Sequence, residues 1–226
     1  MDGLGLAVIL PAKNEERGVA AVIDEIHQLD IEPDIIVAEH GSTDNTVAVA
    51  KSKGARVISC PFPGKGIGVR HVLGKIVGDE RYTYIVMLDA DNTYPARHIP
   101  EIVKKLQEGA DCVAGIRRDY GPGAMSFTHF IWNKLAAAWL SIIYGRKVPD
   151  ALTGMWGFRA NSIPALKLCS TGFQLEVDIW SGAILANLKI EMLPISYRAR
   201  RWGEVKAKVS DVIPILAHAL KRRLEG

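Results

Sequence analysis

The chain reads as an α/β protein built on a parallel, doubly wound sheet. β-type apolar runs of four or five residues alternate with helix-type segments through the first half. Such a βαβα rhythm sets successive strands parallel, with helices on both faces. Several of these runs end in polar, turn-forming stretches, where open α/β sheets bind ligands.

In order, Leu6–Leu10 is the first strand, Val19–Leu29 an amphipathic helix and Asp34–Ala38 the second strand. Thr43–Lys53 follows as helix, Arg56–Ser59 as strand, Ile67–Val77 as helix and Tyr84–Leu88 as strand. Pro100–Glu108 is then helix and Asp111–Ala114 strand. Gly121-Pro122-Gly123 marks a loop before a long apolar helix, Phe127–Tyr144, whose only charge is Lys134. Thr128, His129, Asn133 and Ser141 interrupt it, leaving less than the roughly 20 apolar residues a membrane span requires. It reads as a core or interfacial helix. Val209–Leu224 carries apolar residues at 209, 212, 213, 216, 220 and 224, a helical stripe that Pro214 starts or kinks.

At 226 residues the chain suits one large domain with a modest extension, divided here into 1–208 and a basic amphipathic tail, 209–226. Cys60, Cys112 and Cys169 are scattered and odd in number, which disfavours a disulfide framework and suits a reducing compartment. The opening residues carry no basic n-region, so Leu4–Leu10 reads as strand and not as a signal peptide. Net charge is +3, but from Arg198 onward eight Lys/Arg face three acids, so the basic character belongs to the tail. Lys221-Arg222-Arg223 in the last helical turn suits either the helix dipole or an anionic membrane surface.

The chemistry-bearing residues gather at the strand ends. Ile85–Leu88 runs into Asp89-Ala90-Asp91; strand alternation points both carboxylates the same way, a hard-oxygen pair suited to Mg²⁺ or Mn²⁺ bridging a diphosphate. Pro11-Ala12-Lys13-Asn14-Glu15-Glu16 follows the first strand, where Asn14 and Glu15 offer an amide and an acceptor for ribose hydroxyls or an N-cap. Glu39-His40-Gly41-Ser42-Thr43-Asp44 follows the second: Glu39 can accept from a base or ribose, and Ser42, Thr43 or Asp44 can cap the next helix. Gly64-Lys65-Gly66 opens the third loop, with Lys65 able to meet a phosphate or sugar. It is not a Walker A loop, and no Gly-x-Gly-x-x-Gly follows the first strand, which disfavours a dinucleotide fold. No His/Cys cluster suggests zinc.

These residues together resemble the family 2 glycosyltransferases of GT-A fold, in particular the dolichol-phosphate mannose synthase branch of polyprenyl-phosphate sugar transferases. The resemblance rests on Pro11-Ala12-Lys13-Asn14-Glu15, Asp89-Ala90-Asp91 with Tyr94-Pro95, Gly115-Ile116-Arg117, Asp150–Arg159, Phe173-Gln174-Leu175-Glu176 and Pro194–Lys206. Two places depart from the family pattern: Glu39-His40 stands where Asp-Asp is usual, and Val205 where serine is usual.

The resemblance implies a Rossmann-like, mainly parallel sheet flanked by helices with a C-terminal amphipathic helix. It implies inverting transfer of mannose or glucose from GDP-mannose or UDP-glucose to a polyprenyl or dolichyl phosphate. Asp89 and Asp91 would hold the metal, with Ala90 between them; Arg117, Arg200 and Lys206 would hold phosphate oxygens. A phosphate acceptor needs no base, whereas a sugar hydroxyl would draw on Asp150 or Glu176, whose alternative roles are capping or a salt bridge. The expected partners are a nucleotide-sugar, a lipid phosphate and the cytoplasmic face of a membrane, not nucleic acid. Three other readings stand beside this one: a nucleotidyltransferase, a transferase acting on a glycan or other hydroxyl, and a non-catalytic nucleotide-sugar binding module. The first would show an Arg-containing glycine-rich loop after strand one. A processive synthase would show Gln-x-x-Arg-Trp, where this chain has Arg198 ahead of Arg201-Trp202.

Overall fold

Alternation along the first strand divides the molecule into two apolar cores. In a computed structural model that describes residues 4–204 and 212–225, Leu6, Val8 and Leu10 enter one core and Ala7 and Ile9 the other. The elements run β1 (Leu6–Ala12), α1 (Glu16–His27), β2 (Asp34–Glu39), α2 (Thr46–Ser52), β3 (Arg56–Ser59), α3 (Lys65–Ile76) and β4 (Tyr84–Met87). There follow α4 (Ile99–Gln107), β5 (Cys112–Tyr120), α5 (Phe127–Tyr144), β6 (Trp156–Arg159), α6 (Leu175–Leu185), β7 (Ile190–Tyr197) and α7 (Val212–Glu225). Residues of α1, α2 and α4 pack on one face of the sheet, and those of α3, α5, α6 and α7 on the other.

Among the described residues seven strands form one sheet in the order β3-β2-β1-β4-β6-β5-β7. The pairs β1–β2, β2–β3, β1–β4 and β5–β7 are parallel. The sheet is mainly parallel, as expected, and β6 is the exception, lying antiparallel between β4 and β5. Its Gly157 admits α4, since a Cβ there would meet Ile102 Cγ2 at 2.2 Å. On the opposite face Trp156 stacks on Phe158 at 6.0 Å and meets Trp180 of α6 edge-on at 4.9 Å, arrangements aromatic quadrupoles favour. β7 is the sheet edge, where Pro194 costs no ladder hydrogen bond.

The last helix is docked onto the fold. Ile215 and Ala219 of α7 join the core, Trp139 Nε1 donates to Leu216 O at 3.3 Å, and Tyr144 Oη donates to Ala219 O at 2.8 Å. Pro214 sits in its first turn, where the missing amide is harmless. Among the described residues no helix is long and apolar enough to cross a membrane.

Candidate active site

β1 is the switch point of the sheet, with β2 on one side and β4 on the other. Crevices outside such strand ends are where open α/β sheets bind ligands. Here the carboxyl ends of β1 and β4, with α3, α5 and α6, surround a cavity of about 800 Å³. Pro11, Lys13 and Glu15 line it from β1; Asp89, Ala90, Asp91 and Tyr94 from β4; Lys65 from α3; Glu176 from α6; and Arg117, Tyr197 and Arg200 from beyond.

Six charged side chains interlock on its floor. Lys65 Nζ lies 2.5 Å from Asp89 and 2.6 Å from Glu176. Arg200 reaches Asp91 at 2.7 Å, pairs with Glu15, and donates from Nε to Trp202 O at 2.8 Å. Asp91 Oδ1 also accepts the Thr93 amide at 3.0 Å and hydroxyl at 2.6 Å. Within this interlocked set, four carboxylates face two cations. The titration directions agree. Burial, then the neighbouring Asp89, pushes Asp91 above the usual carboxylate range. Burial likewise raises Glu176 despite Lys65. Burial alone would lower Lys65, but Asp89 and Glu176 hold it firmly protonated.

This donor set fits a hard divalent cation: the oxygens are carboxylate, and Asp89 and Asp91 lie two residues apart just beyond one strand. Gly154 makes room for the Asp89 carboxylate. A Cβ there would stand 2.3 Å from Asp89 Oδ2, while its amide donates to Tyr94 Oη at 2.7 Å. Gly154→Ala is therefore expected to displace Asp89 and to weaken Mn²⁺ binding by about tenfold or more, the usual cost of disturbing a ligand's support. Calorimetric Mn²⁺ titration checks it; unchanged affinity would show that Asp89 is not a ligand.

The β1 and β2 loops hold each other. Asn14, at φ 51°, donates its backbone amide to Ser42 Oγ at 3.0 Å and accepts the Thr43 amide on Oδ1 at 2.7 Å. Asp44 accepts from Thr46 and from the Glu16 amide at 3.3 Å, so it caps α1 from across the crevice. Glu39 turns back to accept the amides of Gly41 and Ser42 at 2.6 and 2.5 Å. Burial would raise Glu39, and these amides with the Ser59 hydroxyl outweigh it, so it stays ionised. None of these four lines the cavity directly, whereas Pro11, Glu15, Lys65, Ala90 and Glu176 do.

Arg117 and Asp150 form a buried bidentate pair, Nε to Oδ2 at 2.8 Å and Nη2 to Oδ1 at 2.6 Å. The Arg117 guanidinium also stacks over Tyr197, 5.0 Å from the ring centre. Both carboxylates considered as bases are thus engaged: Asp150 with Arg117, and Glu176 with Lys65. Lys206 lies outside the described residues. Sequence reasoning gave no site role to Tyr94, Tyr197, His129 or Asn133, all of which line the cavity. For His129 and Asn133 a signal existed: two polar residues four apart on a largely apolar helix share one face.

Comparison with known proteins completes the picture. Residues 7–166 match the glycosyl transferase family 2 model. The chain is 32% identical over 203 residues to the low-salt glycan biosynthesis hexosyltransferase Agl6 of Haloferax volcanii, covering 86% of this chain and 48% of that one. The chain thus spans about half the length of that relative. It is 30% identical over 202 residues to a dolichyl-phosphate hexose transferase of the same organism, covering 89% and 86%. Among solved structures, glucosyl-3-phosphoglycerate synthase of Mycobacterium tuberculosis with Mg²⁺ and UDP superposes with a TM-score of 0.72 at 26% identity, covering 97% of this chain and 78% of that one. The sheet order, the strand-end carboxylates and these matches converge: the chain belongs to glycosyl transferase family 2, with a GT-A fold.

Proposed function

We propose that the protein transfers a hexose, mannose or glucose, from a nucleoside diphosphate sugar to a polyprenyl phosphate with inversion, using Mg²⁺ or Mn²⁺ held by Asp89 and Asp91. One observation carries the reading: a deep charged cavity with two strand-end carboxylates on its floor opens beside an apolar helix, α5. The dolichyl-phosphate hexose transferase of Haloferax volcanii and the UDP-bound fold neighbour support acceptor and donor class respectively.

When bound, the metal neutralises charge developing on the leaving diphosphate. The rest falls to the chain. Lys65 and Arg200, already beside Asp89 and Asp91, hold phosphate oxygens, Arg200 through its planar fork. Lys206 has the corresponding role by resemblance. The acceptor oxygen bonds to the anomeric carbon as the bond to diphosphate breaks on the opposite face. A phosphate monoester has its second pKa near about 6, so it arrives as a nucleophilic dianion and needs no base. That accords with Asp150 and Glu176 being committed to ion pairs.

A lipid acceptor also explains the outer surface. Along α5 the side chains of Phe127, Ile131, Leu135 and Ile142 face solvent, Phe127 at 79% exposure, opposite the buried Asn133, Ala137 and Leu140. α7 adds Ile213, Leu220 and Leu224, with Lys134 and Lys221 supplying positive charge on the same two helices. We assign this face to the surface of an anionic bilayer. Vesicle flotation tests it. Wild type is expected to float with phosphatidylglycerol vesicles, and Phe127→Ser with Ile142→Ser to bind about a hundredfold more weakly or worse, since two insertions at about 1.5–3 kcal/mol each for full burial are lost. Equal flotation of both proteins, or none by wild type, would remove the membrane from the account.

A further inference from the structure

Asp178 lies in the first turn of α6, two residues beyond Glu176, and is completely buried. Its Oδ2 accepts the amides of Cys169 and Ser170 at 2.7 and 2.5 Å, and its Oδ1 meets His218 Nε2 of α7 at 2.6 Å. The Arg222 guanidinium, one turn further along α7, stands 3.3 Å from the same oxygen. Arg222 also donates to Leu166 O at 2.7 Å and Lys167 O at 2.9 Å. A buried carboxylate persists only where paired and hydrogen-bonded. This one therefore ties α6, α7 and the strap 166–170 at a single point.

Cys169, Asp178 and His218 bring one donor atom each within 4.8 Å of one another. However, Arg222 already supplies the counter-charge that a metal would bring there. The cluster is a latch.

The strap in turn carries Lys65. Thr171 O and Ser170 O press against the glycines flanking it: a Cβ on Gly64 would come within 2.3 Å of Thr171 O, and one on Gly66 within 2.7 Å of Ser170 O. The Ile67 amide donates to Thr171 O at 3.2 Å, and Arg70 Nη1 to Cys169 O at 3.0 Å. The backbone on both sides of Lys65 thus rests on the segment that Asp178 holds. Lys65 Nζ ends on Asp89 and Glu176, on the cavity floor.

We infer that Asp178 is a positioning residue for the donor site: through His218 and the strap, it makes the placement of Lys65 depend on the docking of α7. The inference rests on Lys65 serving the diphosphate of a nucleotide-sugar, as proposed above. It goes beyond that reading by giving α7 a second task, on the side facing away from Leu220 and Leu224.

The test compares full-length His218→Ala and His218→Gln with wild type by amide hydrogen exchange and by calorimetric binding of UDP and GDP with Mn²⁺. His218→Ala is expected to speed exchange at 169–171 and at 64–68 together. It should weaken the preferred nucleotide by about fivefold or more, within the usual range of coupling between sites. His218→Gln keeps a side-chain N–H donor and should restore both. A merely structural role would lower Tm without changing nucleotide affinity of the folded protein, and exchange confined to α7 with unchanged affinity would overturn the inference. Asp178→Asn should behave as His218→Ala; if it fails to fold, the two His218 variants decide alone. These readouts involve no acceptor, so absence of lipid glycosylation by wild type would refute the proposed function while leaving this coupling measurable.

Discussion

Asp91→Asn is expected to lower turnover by about 10³-fold or more, roughly 4 kcal/mol of transition-state stabilisation, with the fold intact. The carboxylate is buried, raised by burial and by Asp89, and held by Arg200 and Thr93. Asparagine keeps an oxygen for the Thr93 amide and removes repulsion against Asp89, while Arg200 retains Glu15 and Trp202 O. Stability should therefore change little. On the proposed function, what would be lost is half of the anionic pair that would recruit the metal, the part aimed at charge that appears only as the diphosphate leaves. Steady-state kinetics beside a thermal melt separates the two effects. Full turnover by Asp91→Asn would show that the Asp91 carboxylate is dispensable and would remove it from the proposed metal site.

Arg117→Met is expected to cost about 3–5 kcal/mol of stability, because it strands the Asp150 carboxylate in the interior. At about 2–4 °C per kcal/mol for a chain of this size, the melt should fall by roughly 10 °C. Replacing both partners, Arg117→Met with Asp150→Leu, should recover most of it, since apolar substitution of a whole buried pair is often neutral. The pH dependence has a fixed sign. Burial would raise Asp150, but Arg117 outweighs it and holds the carboxyl below its ordinary value. Its contribution is fully present above the ordinary carboxylate range and is lost as pH falls through the depressed value. Acid unfolding should accordingly be steeper in wild type than in the double variant. Equal acid midpoints would show that the pair carries no net stability.

The strands of the first half were legible because each presents a β-type run to a core on both faces. Arg56–Ser59 and Phe127–Tyr144 coincide with their elements to the residue. Three later elements were not read. β6 is four residues long with a glycine inside, and it turns antiparallel between two parallel strands. β7 contains Pro194, a signal against strand that only an edge position excuses. α6 is buried nearly all round, Glu176 and Asp178 included, so it lacks the one-sided stripe by which a surface helix is recognised. The site divides in the same way. Asp89 and Asp91 were legible as the acidic end of a β-type run, although β4 stops at Met87 and both lie in the turn that follows it. Nothing local revealed that Asn14 bonds to Ser42 or that Asp44 accepts the Glu16 amide, since those partners lie on separate loops, while Glu39 spends itself on its own turn.

The most direct measurement of the central claim is a competition between acceptors in one reaction. Protein, Mg²⁺ and radiolabelled GDP-mannose or UDP-glucose are incubated with a polyprenyl phosphate and an equal concentration of a free sugar, and the products are partitioned into chloroform. The account predicts that label from one donor enters the chloroform phase as an acid-labile glycosyl phosphate, in proportion to nucleoside diphosphate released, and that chelation abolishes it. Label confined to the aqueous sugar, or transfer undiminished by chelator, would contradict it.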